Sequence, residues 1–339
     1  MQRCLELALL GAGQVAPNPM VGAVLVHHDI IIGEGYHQQY GHSHAEVNCL
    51  NSVSKEDTAL IPGSTLYVSL EPCVHFGKTP PCTDLIISKR IPNVVIGCGD
   101  SFDAVNGKGI EKLKASGINV ITGVLEKEAK ELNKRFFTFH QQQRPYIILK
   151  WAESNDQFIG KRDERVMVSN ELSNRLVHKW RSEEAAIMVG TNTAKEDDPA
   201  LTTRLWPGKD PVRIVIDMQD KLPPSLKLFD RSVRTIVFNG VKQEDGEMLA
   251  YYKIDPDQNI WPPIMKALHA LEIQSVMIEG GSATLQSCVD AGLWDEARVI
   301  SNRRLDLKSG ISSPKLSPGK IITSVELGAD LLNIHVPIA

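Results

Sequence analysis

The chain lacks long hydrophobic runs and has no strong excess of charge of either sign. No apolar stretch among its 339 residues approaches the roughly 20 that a membrane-spanning helix requires. With 37 Lys and Arg against 41 Asp and Glu, the formal net charge is −4, which argues against non-specific nucleic-acid binding while leaving a local basic patch possible. Fixed-period repeats and low-complexity segments are also missing. We therefore expect a soluble globular protein with no nucleic-acid and no membrane partner.

Cysteine is scarce as well, with six in the whole chain. Two of them are interpreted below as thiolate metal ligands, which fits a reducing interior better than a disulfide framework. The first residues run directly into an amphipathic stretch without a signal-peptide cleavage pattern. These features predict a cytoplasmic protein. The other four cysteines are interpreted as core residues or free thiols: Cys4, Cys49, Cys98 and Cys288.

The length and the order of patterns predict two α/β domains. Strand-like and helix-like segments alternate in both halves, which is typical of helices packed on a central sheet, and the second sheet is expected to be largely parallel. A long polar-faced helix at about 125–139 closes the first half. The following stretch, 141–145, is polar, lacks periodicity and ends in proline. We therefore predict domains at 1–143 and 144–339.

One motif in the first half contains the ligands of a zinc site. His44-Ala45-Glu46 is followed by Pro72-Cys73 and then by Cys82. In zinc deaminases a His and two Cys hold Zn²⁺, while a Glu two residues after the His moves protons without binding the metal. Three protein ligands leave a fourth tetrahedral position for water, which the ion makes a usable nucleophile near neutral pH. The motif predicts a catalytic zinc site with His44, Cys73 and Cys82 as ligands and Glu46 as the proton carrier.

The spacing of the two cysteines departs from that of nucleic-acid deaminases. Eight residues, 74–81, separate them where such enzymes have two, and glycine and paired prolines mark this insert as a loop. The loop would bring His75 and Lys78 to the rim of the site. His42 and His75 are alternative ligands, and an accidental match in which the cysteines are core residues is the competing interpretation.

Two segments of the second half suggest a nucleotide site. Glu279-Gly280-Gly281 follows an apolar strand and precedes a helix start, where backbone N–H groups and the helix terminus favour a phosphate. A tight turn without a ligand is the alternative. Gly190 also follows an apolar strand, and Arg181 and Arg204 could hold a substrate phosphate or be solvated surface residues.

Together these segments resemble the RibD family of bifunctional riboflavin-biosynthesis proteins, in which a deaminase is joined to a reductase, over essentially the full length. The matching stretches are Pro17-Asn18-Pro19-Met20-Val21-Gly22, Gly35-Tyr36-His37, His44-Ala45-Glu46-Val47, Leu70-Glu71-Pro72-Cys73, Gly77-Lys78-Thr79-Pro80-Pro81-Cys82, 190–193, 197–204, Val215-Ile216-Asp217 and Glu279-Gly280-Gly281. The resemblance implies a fold with an N-terminal cytidine-deaminase-like three-layer domain and a C-terminal dihydrofolate-reductase-like α/β domain. It also implies Zn²⁺ and NADPH as cofactors, and a homo-oligomer.

The resemblance further implies two consecutive reactions on pyrimidine ribosyl phosphates. The first is hydrolytic deamination of 2,5-diamino-6-ribosylamino-4(3H)-pyrimidinone 5′-phosphate, with Glu46 carrying protons. In the second, NADPH reduces the ribosyl group to ribityl. By similarity the deaminase substrate would contact Asn18, His37, Lys78 and Asp100. NADPH would contact Ala152, Thr193, Asp197, Gly281, Ser282, Ala283, Thr284, Leu285, Gln286 and Ser287. The reductase substrate would contact Arg181, Leu201, Arg204 and Glu279. The sequence departs from the family pattern at Phe102, Gln157, Met167 and Met218, so no contact is carried over to these positions.

Two other functions fit parts of the sequence. One is a nucleoside or tRNA deaminase fused to an unrelated reductase-like domain, which the acidic balance and the long loop between the cysteines disfavour. The other is a zinc-stabilised binding module without catalysis. Glu46 argues against that module, because a structural zinc site does not need an unligated carboxylate beside it.

Overall fold

The computed structural model describes residues 1–76, 80–100, 106–162, 164–316 and 318–338. The chain divides into two compact units, Met1–Gln143 and Arg144–Ala339. Within the described residues, no helix combines the length and the apolar character needed to cross a bilayer.

Unit 1 is built on a five-stranded sheet with the strand order β2-β1-β3-β4-β5. Its strands are β1 (Gly22–His27), β2 (Ile30–Tyr36), β3 (Thr65–Leu70), β4 (Asn93–Cys98) and β5 (Asn119–Ile121). Its helices are α1 (Gln2–Leu9), α2 (Ala45–Asn51), α3 (Cys82–Ser88), α4 (Lys108–Ala115), α5 (Glu126–Leu132) and α6 (Lys134–Gln142), with a 3₁₀ turn at Thr58–Gly63. The strand β1 is antiparallel to β2 and β3, whereas β3, β4 and β5 run parallel.

Alternation along β1 explains why helices cover both faces of this sheet. Ala23 and Leu25 point into a core shared with Cys49 of α2, whereas Val24 packs on the opposite face with Leu7 of α1. Successive strand residues face opposite sides, so apolar residues at consecutive positions require cover on both faces. The result is the three-layer arrangement expected for unit 1.

The single helix predicted at about 125–139 is wrong, because the structure has α5 and α6 in its place. Asn133 lies between them with φ −103° and ψ 22°. Its side chain accepts a hydrogen bond from the Met20 N–H at 2.8 Å and donates one to the Met20 carbonyl at 2.9 Å. These side-chain contacts tie Asn133 to the backbone of a distant segment, and the chain changes direction at Asn133 between the two helices.

Unit 2 contains a nine-stranded sheet with the order β11-β10-β9-β8-β12-β6-β13-β16-β15. The strands are β6 (Tyr146–Ser154), β7 (Phe158–Gly160), β8 (Ala186–Gly190), β9 (Val212–Ile216), β10 (Thr235–Asn239), β11 (Leu249–Lys253), β12 (Ser275–Ile278), β13 (Glu296–Asn302), β14 (Ile311–Ser312), β15 (Gly319–Leu327) and β16 (Asp330–Pro337). The helices are α7 (Glu171–Glu183), α8 (Thr191–Asp197), α9 (Trp261–Ala270) and α10 (Ser282–Asp290), with a 3₁₀ turn at Lys227–Phe229. A separate two-stranded ribbon pairs β14 with β7.

The large sheet is parallel from β11 to β13 and antiparallel from β13 through β16 to β15. The interior strand β6 is apolar on both faces, with Ile147 and Leu149 in one core and Tyr146 and Ile148 in the other. Parallel strands that are buried on both sides show continuous apolar runs of this kind. The expectation of a largely parallel sheet is met, apart from the antiparallel edge.

The turn between β6 and β7 contains a strained residue. Gln157 has φ +63°, and its N–H bonds the Ser154 carbonyl at 3.0 Å. The left-handed conformation brings Cβ close to the following carbonyl oxygen, a penalty that glycine avoids.

Gln157→Gly is therefore expected to stabilise unit 2 by about 1 kcal/mol, since relief of the strain outweighs the entropy cost of glycine. The thermal unfolding midpoint should rise by about 2 °C. Gln157→Ala is the matched control, because it removes the same side chain but keeps Cβ. An equal gain from the alanine variant would show that backbone strain is not the cause.

Candidate active sites

Three elements of unit 1 bring the predicted zinc ligands together. His44 is the N-cap residue of α2, Cys73 follows the end of β3, and Cys82 is the first residue of α3. Their ligand atoms lie within 4.8 Å of one another, and in the described part of the chain no other group of three or more such side chains is arranged this way. The alternative ligands His42 and His75 are not in this group.

The distances between these atoms fit a tetrahedral zinc ion. His44 Nδ1 lies 3.5 Å from Cys73 Sγ and 3.4 Å from Cys82 Sγ. Zn–N bonds of about 2.0 Å and Zn–S bonds of about 2.3 Å at tetrahedral angles place nitrogen and sulfur roughly 3.5 Å apart. Hydrogen bonding from Cys82, together with that of His44, lowers the pKa of Cys73, whereas the same bond and burial raise the pKa of Cys82. A bound cation is therefore needed to keep both sulfurs as thiolates.

Glu46 lies in the first turn of α2, two residues after the ligand histidine. Its side chain is only 3 % exposed, and burial, followed by the nearby Cys73, raises the pKa of its carboxyl. The carboxyl does not belong to the ligand group. A carboxyl that is buried and lies outside the ligand group holds a proton more readily than an exposed one, which suits a group that accepts a proton and then delivers it.

Asn18 and His37 lie beside the ligand histidine. The rings of His37 and His44 are in edge contact, with centroids 5.5 Å apart. His37 Nδ1 is 3.0 Å from the Ser43 carbonyl and Nε2 is 3.1 Å from Asn18 Nδ2. We assign the proton to Nδ1, because the carbonyl can only accept, which leaves Nε2 to accept from Asn18. Burial lowers the pKa of His37, so the ring is neutral near pH 7.

Of the other two predicted substrate contacts of unit 1, only Asp100 belongs to the described residues. Lys78 lies outside the described residues, as does Phe102. Asp100 follows β4, and β3 and β4 are paired in parallel with Leu70 beside Cys98. The segments that follow these two strands, one carrying Cys73 and the other Asp100, therefore leave the sheet at the same edge.

Glu71 is a buried residue that the sequence reasoning missed. Its carboxylate accepts hydrogen bonds from four backbone N–H groups, at Asp100, Gly107, Gly109 and Ile110, over 2.8–3.3 Å. A Cβ at Gly109 would lie 2.3 Å from the Pro72 carbonyl oxygen, so glycine permits this close approach. The hydrogen bonds to Glu71 thereby hold Asp100, which follows β4, and the N-terminus of α4 around one carboxylate. The sequence signal that could have indicated this role is an acidic residue directly before Pro72-Cys73.

The second site is a cavity of about 1530 Å³ in unit 2. It lies at the carboxyl ends of β6, β8 and β12, where parallel α/β sheets place their ligands. All fourteen residues expected to contact NADPH or the reductase substrate line it: Ala152, Arg181, Thr193, Asp197, Leu201, Arg204, Glu279, Gly281, Ser282, Ala283, Thr284, Leu285, Gln286 and Ser287. Of the departures from the family pattern, Met167 lines the cavity, whereas Gln157 and Met218 do not.

Two strand-to-helix turns interlock at the floor of this cavity. A Cβ at Gly190 would lie 2.3 Å from Thr284 Oγ1, and one at Gly280 would lie 2.8 Å from Thr193 Cγ2. Gly281 adopts φ +60°, which favours glycine. The first turns of α8 and α10 therefore meet closely, and helix N-termini favour phosphate. This arrangement suits the phosphates of a dinucleotide.

Gly190→Ala is expected to weaken NADPH binding by about tenfold, because the added methyl group forces the Thr284 hydroxyl out of its place in the first turn of α10. Titration of NADPH against the variant measures the effect. Gly292→Ala is the control, since nothing lies within 4 Å of a Cβ there, although its φ of +65° imposes backbone strain. Unchanged NADPH affinity in Gly190→Ala would show that the interlocked turns do not form the cofactor site.

A charged cluster forms one side of the cavity. Arg181 donates two hydrogen bonds to the Glu279 carboxylate, at 2.9 and 2.6 Å, and a third to the Thr202 carbonyl at 3.2 Å. Burial opposes ionisation of Glu279, but the charges of Arg181 and Lys150 lower the pKa of its carboxyl. The cluster therefore places a fixed ion pair beside the space where a substrate can lie.

Lys150 was not predicted from the sequence. It lines the cavity, and burial lowers the pKa of its ammonium group against the opposing charge of Glu279. A single lysine inside the apolar run 147–151 was the signal, since a charge there requires a partner or a function.

Comparison with known proteins agrees with this division into two sites. The family model described as "RibD C-terminal domain" matches residues 145–302, and the "cytidine and deoxycytidylate deaminase zinc-binding region" matches residues 1–98. "Riboflavin biosynthesis protein RibD" of Aquifex aeolicus is 41% identical over 307 residues, covering 88% of this chain and 85% of that protein. The chain belongs to the RibD family. The RibD protein of Escherichia coli K12 is 34% identical over 331 residues, with coverage of 88% and 85%.

Solved RibD-family structures match this chain over both units. A diaminohydroxyphosphoribosylaminopyrimidine deaminase/5-amino-6-(5-phosphoribosylamino)uracil reductase from Thermotoga maritima is 35% identical, with a TM-score of 0.91 over 100% of this chain and 97% of that chain. RibD of Acinetobacter baumannii is 28% identical, with a TM-score of 0.89 over 99% and 97%. The expected fold, a cytidine-deaminase-like domain followed by a dihydrofolate-reductase-like domain, is confirmed. The chain is thus a bifunctional RibD-type enzyme that combines a zinc-dependent deaminase with an NADPH-dependent reductase.

Proposed function

We propose that unit 1 hydrolyses the amino group of 2,5-diamino-6-ribosylamino-4(3H)-pyrimidinone 5′-phosphate, with His44, Cys73 and Cys82 holding Zn²⁺. Bound zinc would lower the pKa of water and so supply a nucleophile at neutral pH. Glu46 accepts the proton of the attacking water and delivers protons to the ring nitrogen and to the departing ammonia. The observation that carries this proposal is a buried, unligated carboxyl next to three converging ligands.

The substrate contacts of unit 1 follow from the surroundings of the zinc ligands. Asn18 and His37 lie beside His44, where they can orient the pyrimidine ring. Asp100 follows β4 and is tied to Glu71, which places a carboxylate at the same edge of the sheet. Lys78, which stays a prediction, would complete the set.

We infer that unit 2 then reduces the ribosyl group of the deaminated product to ribityl. Bound NADPH would supply the hydride for C1′. Thr193, Gly281 and the first residues of α10 (282–287) hold the cofactor, while Ala152 and Asp197 line the same cavity. Arg181, Leu201, Arg204 and Glu279 contact the substrate, and Lys150 adds a positive charge beside Glu279. The protein orients the donor and the acceptor, and the cofactor carries the chemistry.

An ammonia-release assay tests the deaminase substrate. The diaminopyrimidine phosphate should be deaminated, whereas cytidine and tRNA should not. Turnover of tRNA or cytidine in preference to the phosphate would contradict the proposal and favour a nucleic-acid or nucleoside deaminase. The family match supports the riboflavin enzyme over these alternatives.

Arg204→Ala is expected to raise the KM of the reductase for its phosphate-bearing substrate by about tenfold, because a charge-assisted hydrogen bond to phosphate is lost. The KM for NADPH and the rate of ammonia release should change little. Arg231→Ala, an exposed arginine of the same unit outside the cavity lining, is the control. An equal loss of both activities in Arg204→Ala would argue against separate sites.

The expected homo-oligomer stays a prediction. Sedimentation of the purified protein at several concentrations measures the mass of the assembly, and a monomer at all concentrations would contradict the expectation. Small-molecule substrates are consistent with both sites.

A further inference from the structure

His178 is a buried histidine that lies behind the reductase cavity without lining it. It belongs to α7 and is only 6 % exposed. Its Nδ1 atom accepts a hydrogen bond of 2.9 Å from the backbone N–H of Arg204. Burial, aided by the charges of Arg181 and Arg204, lowers the pKa of His178 to about 4. The ring is therefore neutral at pH 7, as an accepting Nδ1 requires.

Arg204 belongs to the loop that includes residues 201–208, between α8 and β9. The same face of α7 contacts this loop at two further points. Arg181, three residues after His178, donates to the Thr202 carbonyl at 3.2 Å. Ser182, four residues after His178, packs closely on Gly208. A Cβ added at Gly208 would lie 2.5 Å from the Cβ of Ser182. Positions separated by three and four residues share a helix face, so one face of α7 contacts this loop at Thr202, Arg204 and Gly208.

The loop has a conformation that needs this support. Leu201, which begins it, has φ +52° although its side chain is 2 % exposed. Such a backbone persists only where its surroundings hold it in place. At the other end the Thr203 N–H bonds Asp210 Oδ1 at 2.6 Å. The side chain of Arg204 is oriented in turn, because its guanidinium donates to Thr202 Oγ1 at 3.0 Å.

We propose that His178 is a positioning residue of the reductase, which fixes the backbone of Arg204 so that its guanidinium faces the cavity. This proposal rests on the function proposed above for Arg204 as a substrate contact. His178 itself touches neither substrate nor cofactor. It supplies one acceptor to the backbone N–H of the residue whose side chain lines the cavity. Loss of that acceptor frees the backbone of Arg204 and weakens the binding of the substrate phosphate by its guanidinium.

Two variants of equal shape test the role of the acceptor. Asn and Leu have nearly the same outline, but only Asn offers an oxygen near the position of Nδ1. His178→Leu should raise the reductase KM for its substrate about tenfold with kcat within about twofold, and His178→Asn should restore most of the loss. Equal KM values in the two variants would overturn the proposal. The rate of ammonia release, set by the other unit, and the KM for NADPH should not change.

A double-mutant cycle with Arg204→Ala tests whether His178 acts through Arg204. In the Arg204→Ala background, His178→Leu should raise KM by less than about twofold, since the group it positions is already gone. A full tenfold effect in that background would refute the coupling. Should His178→Leu fail to fold, His178→Gln, whose acceptor is displaced by one methylene group, replaces it in the cycle. Reduction of the substrate by the unaltered protein tests the proposed function separately.

Discussion

Glu46→Gln is expected to lower the rate of deamination by about 10²–10⁴-fold, the usual contribution of a general acid–base group. Glutamine has nearly the same shape, but it cannot accept the proton of the attacking water or return it to the ring and the ammonia. Glu46 is buried and lies outside the ligand group, so the zinc content should stay the same. Ammonia release and metal analysis of the same preparation measure both quantities.

The same substitution at an exposed site controls for general effects. Glu56 lies in the same unit and is exposed, so Glu56→Gln should leave ammonia release unchanged. Glu46→Gln should still reduce deaminated substrate supplied to it, because unit 2 is unaltered. Full residual deamination in Glu46→Gln would exclude Glu46 as the proton carrier, and loss of zinc would show that the carboxylate serves the metal instead.

Cys73→Ser is expected to reduce zinc affinity by more than about 100-fold, since even residues that only orient a ligand contribute 10–100-fold. A serine hydroxyl is not ionised at neutral pH, so one of three protein ligands is lost. Competition with a chelator of known affinity measures the change. Deamination should fall with the zinc content, while reduction of deaminated substrate should continue.

A second buried cysteine of the same unit provides the control. Cys98 bonds the Ser69 carbonyl at 3.7 Å, a contact that a serine hydroxyl can also make. The Cys98→Ser protein should therefore keep its zinc content, although burial of a hydroxyl lowers the folding stability of this protein slightly. Unchanged zinc stoichiometry and affinity in Cys73→Ser would show that Cys73 is not a ligand.

The clustering of His44, Cys73 and Cys82 was predictable because these residues lie in short local patterns. His44 and Glu46 belong to one helix start, so their separation is fixed by α2 itself. The eight-residue insert does not prevent convergence, because Cys73 follows a strand and Cys82 opens a helix. The structure brings together the same three ligands that the spacing indicated.

Other features depend on contacts that no local pattern reveals. The break between α5 and α6 comes from Asn133 bonding Met20, 113 residues earlier. Seven strands of unit 2 were not predicted: β7, β10, β11, β13, β14, β15 and β16. Of these, β15 and β16 form an antiparallel edge hairpin in which β15 is largely exposed, so the continuous apolar runs of the buried strands are missing there.

The reductase site also depends in part on contacts between residues that are distant in the sequence. The glycine turns and arginines lie in recognisable segments, and all of them line one cavity. Lys150 and His178 acquire their roles only from partners such as Glu279 and Arg204, which the fold brings to them from 129 and 26 residues away. The only local signal of Lys150 is its place in an apolar run, and a histidine on a helix such as His178 has no distinctive local signature.

The most direct test of two successive activities in one chain is mass spectrometry of the products formed from the diaminopyrimidine phosphate, with and without NADPH. Without the cofactor we expect a product in which one amino group has become a carbonyl, with release of ammonia. With NADPH the mass should increase further by two hydrogens, as the ribosyl group becomes ribityl. Reduction that precedes deamination, or an unaltered substrate under both conditions, would contradict this account.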